Sequence, residues 1–294
     1  MNVLRAEILG FCAGVRRAVS AAEKALHERA VTQQTGAVYT YGPLIHNPVA
    51  LAELAAKKLQ VLEKDSIDLL THSDTVLIRA HGVPPATAHA LKDTGVEVIN
   101  ATCPLVTQSQ KRAADFARRG YTIIFAGDKN HGEVVGIQGY AEEAARASGV
   151  ESPFLLVRTA EEADALRLTN EKLVLLSQTT FSIKEFERIS ALLREKMPQI
   201  EICSSICPAT HERQDALKKL CAQVDGVLVI GGRNSSNTNR LFTTAKLLCA
   251  HAALIETASE IPDFFFSLAT VGITAGASTP DSVIEAVEAR LLGK

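Results

Sequence analysis

Apolar residues in this chain come in short runs separated by helical stripes. VLRAEIL, AVYTY, TVLIRA, VEVIN, TIIFAG, FLLV, KLVLLS, GVLVIGG and ATVGITA read as strands. Several are continuous in Val, Ile and Leu, the pattern of strands covered on both faces. Between them apolar positions recur at helical spacing: Val15, Val19, Ala22 and Leu26, then Ala216, Leu217, Leu220, Cys221 and Val224. This alternation predicts an α/β fold with mostly parallel sheets. Asn47-Pro48, Cys103-Pro104, Cys207-Pro208 and Thr279-Pro280 mark helix starts, with Pro at the first helical position behind a capping residue.

The pattern repeats. Cys12 in GFCAGV, Cys103 in ATCPLV and Cys207 in SICPAT each end an apolar run and open a helical one. A polar loop follows each cysteine, at His46, His131 and Ser235, and then a second, at His81, Thr179 and Ser278. A period of roughly 90 to 100 residues predicts three pseudo-threefold-related α/β units, 12–102, 103–206 and 207–294, around a central metal or cluster site. The third unit ends in a helix without a final strand. The segment 1–11 precedes the first unit, so its strand, at residues 2–8, is expected to complete the third unit's sheet.

Composition narrows the class. The 294 residues carry 31 basic and 33 acidic side chains, with 47% hydrophobic and 22% charged residues. No block of like charge suggests nucleic acid or membrane as a partner. Arg5 and Glu7 interrupt the first apolar run, so no signal peptide is read there. Six cysteines without an export signal point to a reducing cytoplasm, where thiols bind metals or do chemistry. A monomer is expected.

One thiol per repeat is the strongest chemical signal. A threefold assembly would bring Cys12, Cys103 and Cys207 to one axis, leaving one position open on a metal or cluster. Zinc sites favour close pairs such as C-x-x-C, and none occurs; scattered single cysteines suit an iron–sulfur cluster. Cys221 and Cys249 lie on apolar helix faces and are expected in the core. Cys203, four residues before Cys207, is open to either reading.

The loops supply the rest of a pocket. His46, His81 and His131 each stand between a strand and a helix. Ser235, Ser236 and Asn237 in GGRNSSNTNR, Ser278 in TAGASTP, and Thr179 and Thr180 in SQTT add short donors. Donors of this density at helix N-termini suit a phosphate or diphosphate. Neither a P-loop nor a G-x-G-x-x-G fingerprint is present, which disfavours those modes of nucleotide binding. Glu133, in NHGEVVG, is a candidate general acid.

Taken in order, GFCAGVRRAV, GPLIHNP, RAHGV, ATCPLV, HGEVVG, SQTT, ICPATHERQ, GGRNSSNTNRL and GITAGASTP resemble the 4-hydroxy-3-methylbut-2-enyl diphosphate reductases of isoprenoid biosynthesis. The resemblance implies a three-domain α/β fold around one 4Fe-4S cluster. It implies Cys12, Cys103 and Cys207 as the ligands, and His46, His81, His131, Ser235, Ser236, Asn237 and Ser278 as the diphosphate site. Thr179 and Glu133 would stand near the substrate hydroxyl, with Glu133 delivering a proton. Two electrons from a ferredoxin or flavodoxin would remove the hydroxyl as water, giving isopentenyl and dimethylallyl diphosphates. One departure stands out. The family loop typically reads His-Pro-Glu, and this chain has His131-Gly132-Glu133, which predicts a more mobile loop.

Three other readings make different demands. A cluster-dependent hydro-lyase would need no reductant. A zinc hydrolase would be colourless, with Glu133 as base. A non-catalytic iron–sulfur sensor would need a partner surface, and the charge pattern shows none.

Overall fold

The structure, a computed structural model, describes residues 1–63, 66–168 and 171–293. Residues 64–65, 169–170 and 294, one group in each expected unit, lie outside the described residues. The chain forms two compact units: Met1–Leu62 with Pro208–Lys294, and Glu63–Cys207. It is an α/β fold whose strands make three parallel four-stranded sheets among the described residues.

The first unit contains β1 (Asn2–Arg5), α1 (Ala13–Thr32), β2 (Val38–Tyr41), α2 (Pro48–Ala56) and β3 (Leu59–Leu62). It resumes with α8 (Pro208–Cys221), β10 (Gly226–Ile230), α9 (Ser236–Leu248), β11 (His251–Ile255), β12 (Thr270–Ala275) and α10 (Asp281–Leu291). One sheet runs in the order β1-β12-β10-β11, and β2 pairs with β3. The N-terminal strand therefore sits on the edge of the C-terminal sheet, with Asn2 opposite Thr270 and Arg5 opposite Ile273.

Every residue of β10 is buried, and the strand's two-residue period sends its side chains to both faces. Leu228 and Ile230 join Phe265, Ile273 and Val287 on one side. Val227 and Val229 join Leu217, Leu220 and Leu241 on the other. A large-to-Ala change in either layer is expected to cost about 2–5 kcal/mol.

The second unit contains β4 (Thr75–Ile78), α3 (Pro85–Asp93), β5 (Glu97–Asn100), α4 (Pro104–Arg118), β6 (Thr122–Ala126) and α5 (Gly132–Ala147). Then follow β7 (Phe154–Val157), α6 (Ala160–Asp164), β8 (Leu173–Ser177), α7 (Ile183–Lys196) and β9 (Glu201–Ile202). Its sheet order is β7-β6-β8-β9, and β4 pairs with β5. The layering is the same as in the first unit. Ile124, Leu175, Phe186 and Ile189 pack on one face, and Ile123, Phe125, Ile137 and Leu176 on the other.

Two local readings change. In α1 the buried stripe is Ala18, Ala22 and Ala25, so the helix approaches its neighbours through small residues, with Val15, Val19 and Leu26 only partly covered. At Thr279-Pro280 the helix starts one residue late, with Pro280 as the N-cap. Thr279 lies outside the helix, its buried hydroxyl donating to the Ile230 carbonyl at 3.0 Å.

Candidate active site

Each of the three cysteines opens a helix. Cys12 is the N-cap of α1, its Sγ accepting from Val15 N at 3.5 Å. Cys103 is the N-cap of α4, followed by Pro104, and Cys207 directly precedes α8. All three are partly buried, and no disulfide forms among the described residues.

Their backbone N–H groups share one pattern. Cys12 N donates to Ala277 O at 3.0 Å, Cys103 N to Ala80 O at 2.9 Å, and Cys207 N to Thr179 O at 2.8 Å. Ala277 adjoins Ser278, Ala80 adjoins His81, and Thr179 is itself a candidate. Every cysteine is thus tied to one of the second polar loops of the sequence pattern.

Within the second unit the structure brings His81, His131, Glu133 and Thr179 into two contacting pairs. His131 is the N-cap of α5, and its Nδ1 accepts from Glu133 N at 3.2 Å. In the neutral ring the proton is therefore on Nε2. The His81 and His131 rings meet edge to face, centroids 5.0 Å apart.

The Glu133 carboxyl is 1% exposed. One oxygen accepts from Thr179 N and the other from Thr179 Oγ1, both at 2.7 Å. Burial pushes its pKa from the usual carboxylate value up to about 7; the two Thr179 hydrogen bonds pull it back, and the negative charge of Asp128 adds to the rise. A carboxyl group so placed is poised to give up a proton near neutrality.

Within the first unit a second group of candidates meets. Ser235 is the N-cap of α9, its Oγ accepting from Thr238 N at 3.3 Å, and Ser236 and Asn237 form the helix's first turn. Asn237 is buried, and its Nδ2 has no hydrogen-bond partner among the described residues. The His46 carbonyl accepts from Ser278 Oγ at 3.0 Å. It also lies where a Cβ on Gly232 would come within 2.5 Å, so only glycine lets that loop close on His46. Asn47 caps α2 through Ala50 N.

Residues 3–292 match the family model described as LytB protein. A relative from Treponema denticola, named 4-hydroxy-3-methylbut-2-enyl diphosphate reductase, is 44% identical over 99% of both chains. One of the same name from Aquifex aeolicus is 39% identical over 99% of this chain and 96% of its own. A solved structure of (E)-4-hydroxy-3-methyl-but-2-enyl diphosphate reductase superposes with a TM-score of 0.73 at 37% identity, covering all of both chains. The reductase from Plasmodium falciparum gives 0.85 at 27% identity, over 97% of this chain and 86% of its own.

The chain belongs to the LytB family. It is an oxidoreductase, a reductase of isoprenoid biosynthesis, as its relatives are. In this LytB chain the other cysteines are packing residues. Cys221 is buried beside Leu217 and Leu220, with Cys249 partly buried against the same layer. Burial pushes the Cys221 thiol up to about 11, with Cys249 alongside adding to the rise. Cys203 packs against the layer of Phe116 and Ile123.

Sequence reasoning did not single out Asp128, Gln178 or Arg79. Gln178 Oε1 accepts from Asp128 N at 2.8 Å and its Nε2 donates to Thr180 Oγ1 at 2.9 Å, joining the two loops that flank Glu133. The one available signal was their position, one to three residues from His131, Thr179 and His81. Among the described residues no helix is long and apolar enough to cross a membrane.

Proposed function

We propose that this reductase converts (E)-4-hydroxy-3-methylbut-2-enyl diphosphate to isopentenyl and dimethylallyl diphosphates, with Cys12, Cys103 and Cys207 as ligands of one 4Fe-4S cluster. The reading is supported chiefly by the three backbone ties, which fasten each cysteine to a loop carrying a candidate substrate residue. The donor set also suits the group: three thiols at helix starts and none in a disulfide, with Cys203, four residues before Cys207, packed against the layer of Phe116 and Ile123. The repeats 12–102, 103–206 and 207–294, the last completed by 1–11, are proposed as the frame that carries one ligand each.

Bound there, such a cluster supplies electrons one at a time and an open iron that acts as a Lewis acid. The overall reaction consumes two electrons and two protons and releases the allylic hydroxyl as water. His46, His81, His131, Ser235, Ser236, Asn237 and Ser278 hold the diphosphate through neutral donors. The Asn237 Nδ2 has its hydrogen bonds still to make. Ser278 keeps its lone pairs available but must turn its hydrogen away from His46 O to donate.

Glu133, protonated below a pH of about 7, gives its proton to the departing hydroxyl. Thr179 orients that carboxyl by donating to it from N and Oγ1, and the same bonds stabilise the carboxylate left when the proton departs. A small ferredoxin or flavodoxin is the proposed electron donor to a monomeric enzyme.

The test is the iron and acid-labile sulfide content of anaerobically prepared protein, with its visible spectrum. The expected result is brown protein with about four of each per chain, and reduction of the substrate by a one-electron donor. Colourless protein that takes up about one zinc and resists reconstitution with iron and sulfide would overturn the cluster.

A further inference from the structure

Gly132 opens α5 between His131 and Glu133, and its backbone is not left-handed, so its conformation does not demand glycine. What glycine leaves there is space, and Arg79 occupies it. A Cβ built on Gly132 would lie 2.4 Å from Arg79 Nη2, 2.8 Å from Cζ and 3.4 Å from Nε. The guanidinium therefore lies against the bare backbone of the first turn. Arg79 directly follows β4 and is itself anchored, its carbonyl accepting from Gly82 N at 3.0 Å. The helix dipole does not draw it there, because the N-terminal end of a helix disfavours a cation.

Other helices of this chain treat the same position differently. α2, α3, α4 and α8 begin with Pro48, Pro85, Pro104 and Pro208. Proline there fixes φ in the helical range and stiffens the start. Glycine does the opposite, at the one helix start that must hold a proton donor. Yet Glu133 is buried with both oxygens engaged, so its position is well defined.

We propose that Arg79 is a positioning residue: its guanidinium, seated in the space that Gly132 leaves, restrains the peptide between His131 and Glu133 and so holds the acid in place. The mobile loop expected from glycine alone is thereby clamped from a neighbouring loop of the same unit. The functional consequence rests on Glu133 as the proton donor; the restraint itself does not.

The test is a pair of substitutions. Arg79→Ala removes the clamp. Gly132→Pro supplies a restraint within the chain, and His131, at φ −68 and ψ 136, already has the extended conformation that a residue before proline needs. Arg79 is the flexible partner in that close approach, so proline displaces it without breaking the turn. In holoenzyme of unchanged iron content, Arg79→Ala should lower kcat roughly 10- to 100-fold with little change in the Kd for inorganic diphosphate. Amide hydrogen exchange over residues 131–135 should accelerate with it. Arg79→Ala with Gly132→Pro should restore both.

Equal loss of kcat in the glycine and proline backgrounds, or unchanged exchange in Arg79→Ala, would overturn the proposal. The exchange readout does not involve turnover, so it separates failure of the clamp from failure of Glu133 as the acid.

Discussion

Two corresponding loops, before α5 and before α9, share a scaffold and differ in what they leave unsatisfied. Each follows a fully buried central strand, β6 or β10, and each starts its helix with a side-chain cap, His131 or Ser235. Before α5 the polar groups satisfy one another: Glu133 is closed onto Thr179, and His131 caps Glu133 N. Before α9 a buried amide, Asn237 Nδ2, has no hydrogen-bond partner among the described residues. Two loops of like backbone thus differ by side chain. Under the proposed function, one stores a proton in a dry site and the other keeps donors in reserve for an anion.

The sharpest way to break this contrast is to remove the proton. Glu133→Gln should lower kcat by roughly 100- to 10,000-fold while leaving diphosphate affinity close to wild type. Steady-state kinetics and a binding titration check it, and wild-type turnover would remove Glu133 from the mechanism. The same group should give wild-type kcat a descending limb as pH rises through about 7, where the donor loses its proton.

Next in size is a stability effect. The folded-state pKa of Glu133 is raised from 4.5 to about 7 by burial. Below 4.5 both folded and unfolded states are protonated there. As pH rises from 4.5 to 7 the unfolded state ionises first, and stability falls by about 3 kcal/mol, a loss complete above 7. Glu133→Gln should abolish that loss. Urea unfolding at pH 4.5 and 8 should show the variant gaining on the wild type only at the higher pH.

Asn237→Ala tests the other loop. It should weaken diphosphate binding about tenfold and cost the fold little, since the amide donor it removes is buried without a partner. A variant with wild-type affinity would take Asn237 out of the diphosphate site. The smallest effect is expected at Cys221→Ala: about 1 kcal/mol of stability, from lost packing beside Leu217, with iron content unchanged. Loss of iron there would contradict the division between core and ligand cysteines.

Much of this was legible in the sequence because the central strands are continuous in Val, Ile and Leu and the helix starts carry proline. The strands β3 and β11 were not read. Each is an edge strand, with Gln60 exposed in LQVL and alanines of low strand propensity in HAALI. β9 is two residues long and offers no period at all. The candidate residues were legible as a set because each stands beside a strand end or a helix start. Their pairing was not: Glu133 meets Thr179 across two adjacent strands' loops, and no spacing rule encodes that contact. Arg79 stood in RAHGV beside His81 yet drew no notice, because its role depends on what Gly132 lacks.

The most direct measurement is titration of inorganic diphosphate into Glu133→Gln and Asn237→Ala holoenzymes side by side. The division of labour predicts wild-type affinity in the first and clearly weakened affinity in the second. Weakened affinity in Glu133→Gln with none lost in Asn237→Ala would contradict it.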